Sequence, residues 1–120
     1  MEGDWATMTL GSLCTRVTSG GTPRTSEPEY YGGGIPWVTT GEVNYGKIKS
    51  TSRTLTEVGV AGSSAKIVPT DTVIVAMYGR GTAGRVAMAG VPLTTNQACC
   101  NLVINPTVAD PRFVYYALTK

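Results

Sequence analysis

The stretch TVIVAMYGRGTAGRVAMA, residues 72–89, decides which fold this chain can adopt. Its first six residues, 72–77, form an apolar run rich in β-branched side chains, which is typical of a buried strand. The glycines that follow, from Gly79 to Gly84, match the pattern G-x-G-x-x-G. After an apolar strand, that pattern also opens dinucleotide-binding domains, so two interpretations have to be compared.

Dinucleotide binding requires a helix after the glycines, because its N-terminus must face the pyrophosphate. Only residues 85–89 follow before Gly90 and Pro92, which is too short for that helix. The ribose-binding acid expected about 20 residues later is also missing, since residues 72–109 contain no Asp or Glu. We therefore predict a second strand over residues 84–89 and a glycine-rich loop between two strands. A helix after Gly84 would instead support a dinucleotide-dependent enzyme fragment.

Further strands are predicted on both sides of this pair. Apolar runs indicate strands at residues 65–68 and 98–104, with a turn at 69–71 and a loop at 90–92. Asp110 followed by Pro111 predicts the start of a C-terminal helix, with the aspartate as N-cap.

The N-terminal half predicts more irregular structure. Leu10, Leu13 and Val17 have helical spacing within residues 9–19, before two glycines that would end a helix. Residues 20–34, rich in glycine and proline, predict a long functional loop.

Beyond that loop, residues 35–39 predict a strand entered through Pro36. A turn at 40–44, an exposed strand within 46–55 and a short helical turn from Thr56 to Ser63 complete the pattern. The order predicts an α+β fold: a single compact domain with a twisted mixed or antiparallel sheet, long loops, a short N-terminal helix and a C-terminal helix.

Composition narrows the possible functions. The chain has 120 residues, 42% of them hydrophobic, and a net charge of +2, which permits but does not require a polyanionic partner. No secretory signal or membrane-spanning run is recognisable in the sequence, so a cytoplasmic location is expected.

Catalytic chemistry is not expected from these residues. The chain has no histidine, which excludes Ser-His-Asp and Cys-His arrangements within it. Cys14, Cys99 and Cys100 are an odd number with an adjacent pair, which favours small apolar residues in a buried strand over a disulfide or a metal site.

Polar residues around the glycine-rich loop suggest a nucleic-acid contact surface. Arg80 and Arg85 flank glycines, and arginine presents a planar donor fork to guanine or phosphate. Asn96 and Gln97 carry the amide groups that pair with adenine. The alternative is that the two amides cap turns and the arginines are merely solvated.

Short motifs in a fixed order make the chain similar to a known family. They run from Leu10-Gly11-Ser12-Leu13 and Ser19-Gly20-Gly21-Thr22-Pro23 through Tyr30-Tyr31, Ile35-Pro36-Trp37-Val38, Thr56-Glu57-Val58-Gly59, Ser63-Ser64-Ala65-Lys66, Pro69 and residues 79–84 to Thr95-Asn96-Gln97-Ala98. Together they resemble the specificity subunits of type I restriction–modification systems, over nearly the whole chain.

The resemblance implies a non-catalytic target-recognition domain that reads half of a split site in double-stranded DNA. Such subunits contain two recognition domains with conserved helices that space them and dock methyltransferase (modification) subunits, and a restriction subunit joins for cleavage. The chain itself would bind no cofactor, since S-adenosylmethionine, ATP and Mg²⁺ would belong to the partners. Residues 1–120 would form a partial recognition domain, without its closing segment and the helical spacer.

We expect the loops at residues 20–34, 39–46, 78–85 and 94–97 to converge on one edge and to enter a DNA groove. The residues assigned to base edges are Arg80, Arg85, Asn96 and Gln97. Those assigned to phosphates are Thr22, Arg24, Lys47 and Lys49, and the remaining members of the predicted site are Thr39, Thr40, Tyr78 and Thr95. A rival hypothesis is a β-rich module that binds protein or glycan through exposed Tyr30, Tyr31 and Trp37.

Overall fold

The computed structural model describes residues 12–119, which form two sheets and two helices. The five-stranded sheet has the order β1-β8-β5-β6-β3, and the three-stranded sheet has the order β4-β2-β7. The strands are β1 Cys14–Ser19, β2 Tyr31–Val38, β3 Lys47–Ile48, β4 Arg53–Leu55, β5 Val73–Ala76, β6 Val86–Ala89, β7 Thr94–Thr95 and β8 Cys99–Ile104; the helices are α1 Glu57–Ala61 and α2 Pro111–Leu118. Parallel and antiparallel pairs both occur, so the predicted α+β class with a mixed sheet is confirmed.

Strands β5 and β6 form an antiparallel hairpin around the glycine-rich loop. Val73 lies opposite Met88 and Val75 lies opposite Val86. The amide of Gly84, a glycine with φ of +88°, donates a 2.7 Å hydrogen bond to the carbonyl of Ala76 and closes the loop. Because a strand follows the glycines, no helix N-terminus is available for a pyrophosphate, and the dinucleotide alternative is excluded.

The prediction of a helix over residues 9–19 is wrong for residues 14–19. These residues form β1, which pairs antiparallel with β8, with Val17 opposite Leu102. Three of the six, Thr15, Val17 and Thr18, are β-branched, which disfavours a helix, and β8 offers an open edge to pair with. Residues 9–11 lie outside the described residues.

Two other predictions in the first half are corrected. Strand β2 starts at Tyr31, so residues 32–34 belong to a strand, and the predicted loop shortens to residues 20–27 with a 3-10 turn at Pro28–Tyr30. Residues 46–55 divide into β3 and β4, which belong to different sheets.

The strand predicted at residues 65–68 does not form. Val68 makes an isolated antiparallel bridge with Leu93, through hydrogen bonds of 2.8 and 3.1 Å. Pro69 follows at once and has no N–H to continue a ladder, which explains why a run of apolar residues ends in a single bridge.

Both helices begin where predicted, and each has a side-chain cap. The hydroxyl of Thr56 accepts a 3.0 Å hydrogen bond from the amide of Gly59 in α1. The carboxylate of Asp110 accepts a 2.9 Å bond from the amide of Arg112 in α2. These bonds satisfy amides that have no partner within a helix.

The large sheet is covered on both faces. On one face, Val114 of α2 packs with Val73, Val86 and Met88. On the other, Ile74 and Cys99 pack with Val38, the last residue of β2, and with Val43 and Leu93 in the connecting segments. Trp37 and Leu55 form a third cluster with Ala65. The large sheet is therefore rigidly held, and its strand ends are fixed platforms for loops.

The predicted burial of cysteine in a strand is confirmed for Cys99. It is fully buried, whereas Cys14 and Cys100 are half-buried, and no disulfide joins any two of the three. Within residues 12–119, no helix is long and apolar enough to cross a membrane.

Candidate nucleic-acid interface

The strand directions place several connections at one end of the large sheet. β1 ends at Ser19 opposite Cys100, and β5 ends at Ala76 opposite Cys99, where β8 begins. Residues 20–27, 77–85 and 96–98 therefore all emerge at this end. It is also where β6 starts at Val86.

The small sheet brings a fourth connection to the same end. β2 and β7 are parallel, with Val38 opposite Thr95, so their carboxyl ends meet. The amide of Asn96 donates a 2.8 Å hydrogen bond to the carbonyl of Val38, and residues 39–45 continue from there. We call the four segments 20–27, 39–45, 77–85 and 96–98 the loop edge.

Hydrogen bonds join the segments of the loop edge to one another. The Thr22 hydroxyl donates to the Gln97 side-chain oxygen, which links the first segment to the last. The Arg85 guanidinium donates a 3.1 Å bond to Asn44 Oδ1, and the amide of Met77 donates a 2.8 Å bond to the carbonyl of Ala98. The predicted convergence of four loops on one edge is therefore confirmed, with the first loop shorter than expected and with Thr94 and Thr95 in strand β7 instead of the last loop.

Two aromatic residues of β2 hold the first segment in place. Trp37 Nε1 donates a 3.0 Å hydrogen bond to the carbonyl of Gly21. The Tyr31 hydroxyl donates a 2.5 Å bond to the carbonyl of Pro23. The Arg53 guanidinium lies 4.6 Å from the Tyr31 ring centre and 5.3 Å from that of Trp37, a geometry that stabilises a cation on an aromatic face.

The loop edge exposes several of the predicted residues. Arg24, Thr22, Tyr78, Arg80 and Gln97 are exposed to solvent. Tyr78 has 58% of its surface exposed, so its ring is available to a ligand.

Negative charge at the loop edge is limited. The 77–85 and 96–98 segments contain no acidic residue. Glu42 lies in the second segment and Glu27 in the first. A hydrogen bond with Glu29 raises the pKa of the Glu27 carboxyl, and the positive charge of Arg24 acts in the opposite direction. The hairpin half of the edge is therefore the part best suited to an anion.

Thr95 and Asn96 support the edge from within. Thr95 is fully buried, and its hydroxyl accepts a 2.8 Å hydrogen bond from the Asn101 amide, so its predicted place in the binding surface is corrected to a structural one. The side-chain oxygen of Asn96 accepts a 3.1 Å bond from the amide of Ala98 and caps the turn into β8. For Asn96, the turn-capping alternative is the one observed.

Thr39 and Thr40 are half-buried in the second segment. The amide and the hydroxyl of Thr39 donate to Glu42 Oε1 at 3.0 and 3.2 Å, which forms a capping box for the turn at Thr40–Glu42. Thr40 lies against the hairpin, since a Cβ added to Gly79 would be 3.1 Å from its hydroxyl. Both residues shape the edge.

Lys47 and Lys49 do not lie on the loop edge. Lys47 is opposite Met88 in the outer strand β3, and Lys49 lies beside Gly90, at the far end of β6. With Glu42, Asn44 and Tyr45, they line a shallow groove on the side of the domain. The two lysines therefore flank the loop edge, on which Arg80 and Gln97 lie.

Sequence reasoning missed three members of this region. Met77, with 57% of its surface exposed, adjoins Tyr78 at the start of the hairpin loop. Asn44 holds Arg85, and Arg53 lies on the two aromatic rings. For Met77, the apolar run continuing past the buried strand was the available signal; the other two depend on contacts distant in sequence.

The rival hypothesis of a protein- or glycan-binding module requires an exposed Trp37, which the structure does not show. Trp37 has 3% of its surface exposed, and Tyr30 and Tyr31 are half-buried. Trp37 and Tyr31 instead hold the first segment of the loop edge against the small sheet.

Comparison with known protein families gives one match over nearly the whole chain. The model of the type I restriction modification DNA specificity domain matches residues 2–120. The type I restriction enzyme MjaIX specificity subunit of Methanocaldococcus jannaschii is 34% identical over 120 residues, covering 98% of this chain and 27% of that protein.

Solved structures show the same fold in proteins of low sequence identity. The crystal structure of the HsdS subunit from Thermoanaerobacter tengcongensis aligns with a TM-score of 0.66 at 16% identity, over 92% of this chain and 26% of that one. The type I restriction–modification S subunit from M. genitalium aligns with a TM-score of 0.56 at 22% identity, over 92% of this chain and 25% of that one. The chain thus spans about a quarter of the length of the relatives it matches.

Proposed function

We propose a DNA-reading role for this domain from one premise: the chain belongs to the family of type I restriction modification DNA specificity domains. Membership of that family makes the domain a recognition module and not an enzyme. The domain would bind double-stranded DNA through the loop edge and select its sequence. The observation that carries the proposal is the convergence of four segments on one edge. Arg80 and Gln97 are exposed on two of these segments, which a backbone hydrogen bond joins and which contain no acid.

Base recognition would come from the exposed donors of this edge. Arg80 would pair with the O6 and N7 acceptors of guanine, and Gln97 with adenine, because those side chains match the base edges in the major groove. Arg85 is partly engaged by Asn44, so it would contribute a second, oriented cation. Each good bidentate contact is worth about 1–3 kcal/mol of discrimination.

Phosphate contacts would come from the borders of the edge. Thr22 and Arg24 lie on the segment held by Trp37 and Tyr31, and Lys47 and Lys49 lie on the flanking groove. Such contacts position a protein on the duplex without selecting sequence. Thr39, Thr40, Thr95 and Asn96 would act by shaping the edge.

The partners follow from the family rather than from this domain's surface. A specificity domain directs a methyltransferase (modification) subunit and a restriction subunit to DNA, and those subunits would hold S-adenosylmethionine, ATP and Mg²⁺. Because the chain spans about a quarter of its relatives, residues 1–120 would be a partial recognition domain. A bacterial or archaeal DNA-reading subunit would work in the cytoplasm.

Salt-dependent binding to duplex DNA tests the proposal. The logarithm of the affinity for a random-sequence duplex should fall linearly with the logarithm of salt concentration, and sequences enriched from a randomised library should share a motif. Arg80→Ala should relax the motif at one base pair, whereas Lys49→Ala should weaken all sequences alike and flatten the salt slope.

Arg16→Ala is a matched control, since Arg16 is an exposed arginine on β1, which lies at the opposite edge of the large sheet from β3 and its lysine. Identical effects of Arg80→Ala and Lys49→Ala on every sequence would contradict the division of roles. Binding that ignores salt and duplex DNA would instead favour a protein or glycan partner.

A further inference from the structure

Met77 and Tyr78 expose two large apolar side chains side by side on the loop edge. Their exposed fractions are 57% and 58%. Among residues 12–119, no other two consecutive residues are both exposed large hydrophobic ones. Building on the proposed function, we infer that this pair reads thymine by apolar contact with its 5-methyl group in the major groove.

The position of the pair in the fold places it at the centre of the interface. β5 is the middle strand of the five-stranded sheet, and Met77 directly follows its last residue, Ala76. The amide of Met77 is bonded to the carbonyl of Ala98, on the segment that carries Gln97. The hairpin therefore presents the pair between the 96–98 segment and the 39–45 segment.

The hairpin holds the pair in a defined conformation. Backbone hydrogen bonds close the loop, among them Gly84 N to Ala76 O at 2.7 Å, Thr82 N to Gly79 O at 3.2 Å and Arg85 N to Thr82 O at 3.0 Å. Gly79 has a φ of +126°, which a residue with a side chain rarely adopts, so the chain turns sharply just after Tyr78. An ordered loop loses little conformational entropy when it binds.

The chemistry of the groove selects the ligand. The 5-methyl group of thymine is the apolar group that a base pair presents there, beside the polar atoms that arginine and glutamine recognise. Apolar contact suits the flexible thioether of Met77 and the flat ring of Tyr78, both of which lie within three residues of Arg80 in the sequence. The domain would therefore recognise a site with at least one thymine beside the base contacted by Arg80.

Two randomised duplex libraries test this inference, because selection from them also identifies the target sequence. One contains thymine, and the other contains uracil at every such position in the random region, which removes only the methyl group. The purified chain should enrich a thymine-containing motif from the first library. At the same positions in the second library, binding should weaken about fourfold for each methyl lost, as expected for one buried apolar carbon.

Variants test whether Met77 and Tyr78 cause the difference in binding between thymine and uracil duplexes. Met77→Ala and Tyr78→Ala should each reduce the difference between thymine and uracil duplexes, whereas Tyr78→Phe should keep it, because the ring remains. Tyr116→Ala is the matched control, since Tyr116 is 63% exposed on α2. Circular dichroism of each variant would verify that its fold is intact.

The outcomes separate the two proposals. A motif recovered equally from both libraries would overturn the thymine contact and leave the DNA-reading role standing. A rise in 2-aminopurine fluorescence at an unstacked step, with equal affinity for both duplexes, would show that the pair inserts as a wedge instead and would also overturn it. Failure of the unmodified chain to enrich any sequence would overturn the DNA-reading role itself.

Discussion

The indole nitrogen of Trp37 donates a 3.0 Å hydrogen bond to the carbonyl oxygen of Gly21, 16 residues earlier in the chain. The indole is buried, so the broken bond would leave both partners with neither a hydrogen bond nor water to replace it. The bond ties the small sheet to the first segment of the loop edge. Trp37, which belongs to one of the short motifs that carry the family resemblance, thus fixes where Thr22 and Arg24 lie.

Replacing Trp37 with phenylalanine should destabilise the domain and loosen this segment. The variant keeps an aromatic ring but leaves the Gly21 carbonyl without its donor, which costs about 1–3 kcal/mol, with a further loss from the smaller ring. Urea unfolding followed by circular dichroism measures the change. Tyr116→Phe, an exposed aromatic substitution, should leave the midpoint nearly unchanged; equal midpoints for both variants would contradict the role of the bond.

Gly21→Ala should be among the most damaging single substitutions in the chain. A Cβ at this position would clash with Ser64 Oγ and would lie 2.6 Å from the amide nitrogen of Ala65, which is backbone and cannot easily move away. Overpacking of this kind costs about 1–3 kcal/mol or more. Thermal unfolding would show it, with Gly41→Ala as the comparison, because no atom lies within 4 Å of the corresponding Cβ there. A Gly21 variant as stable as the Gly41 variant would disprove the close approach.

Thr56→Ala should remove the cap of α1 and a second contact at once. The Thr56 hydroxyl accepts from the amide of Gly59 and donates a 2.6 Å bond to the carbonyl of Glu29. Loss of an N-cap hydroxyl costs about 0.5–2 kcal/mol. Thr56→Ser keeps the hydroxyl and should retain most of the stability in the same unfolding assay. If serine and alanine were equally destabilising, the hydroxyl would not be the stabilising group.

Cys99 should resist alkylation in the folded protein and should make stability fall at high pH. Burial, followed by the charges of Cys100 and Glu42, raises the pKa of the Cys99 thiol from 9.0 to about 12. Since the unfolded thiol ionises near pH 9 and the folded one does not, its contribution is intact below pH 9 and is lost as the pH rises towards 12.

Iodoacetamide labelling at pH 8, read by mass spectrometry of peptides, should modify Cys99 more slowly in the folded chain than in urea. A Cys99→Ser variant should show a smaller decline in stability between pH 9 and pH 10.5 than the unmodified chain does. Rapid labelling of Cys99 under native conditions would contradict its burial.

Sequence patterns predicted the elements whose signals are local. The apolar runs of β5 and β8, the helix start at Thr56, the cap at Asp110 and the glycine-rich hairpin loop are confirmed. Each depends on residues close together in the sequence. The signals are β-branched composition, a side chain that reaches an amide two or three residues away, and a stretch between glycines that is too short for a helix.

The errors have a common physical origin. Residues 14–19 have helical spacing of apolar side chains, but the open edge of β8 gives their backbone more hydrogen-bond partners in another conformation. Residues 65–68 resemble a strand, but only Val68 among them forms a bridge, with Leu93, and Pro69 cannot extend the pairing. In both cases, the deciding partner lies more than 20 residues away.

By itself, the sequence determined an α+β class, because turn glycines and helix caps act through local conformational preferences, and its short motifs in fixed order showed the resemblance to a family of recognition domains. Only the tertiary structure decided which polar residues face outward together. Thr95 and Gln97 are two residues apart, yet one is buried under Gly20 and the other reaches Thr22 at the surface. Their separation arises from the pairing of β7 with β2 and the turn into β8, and strand pairing is a property of the whole chain.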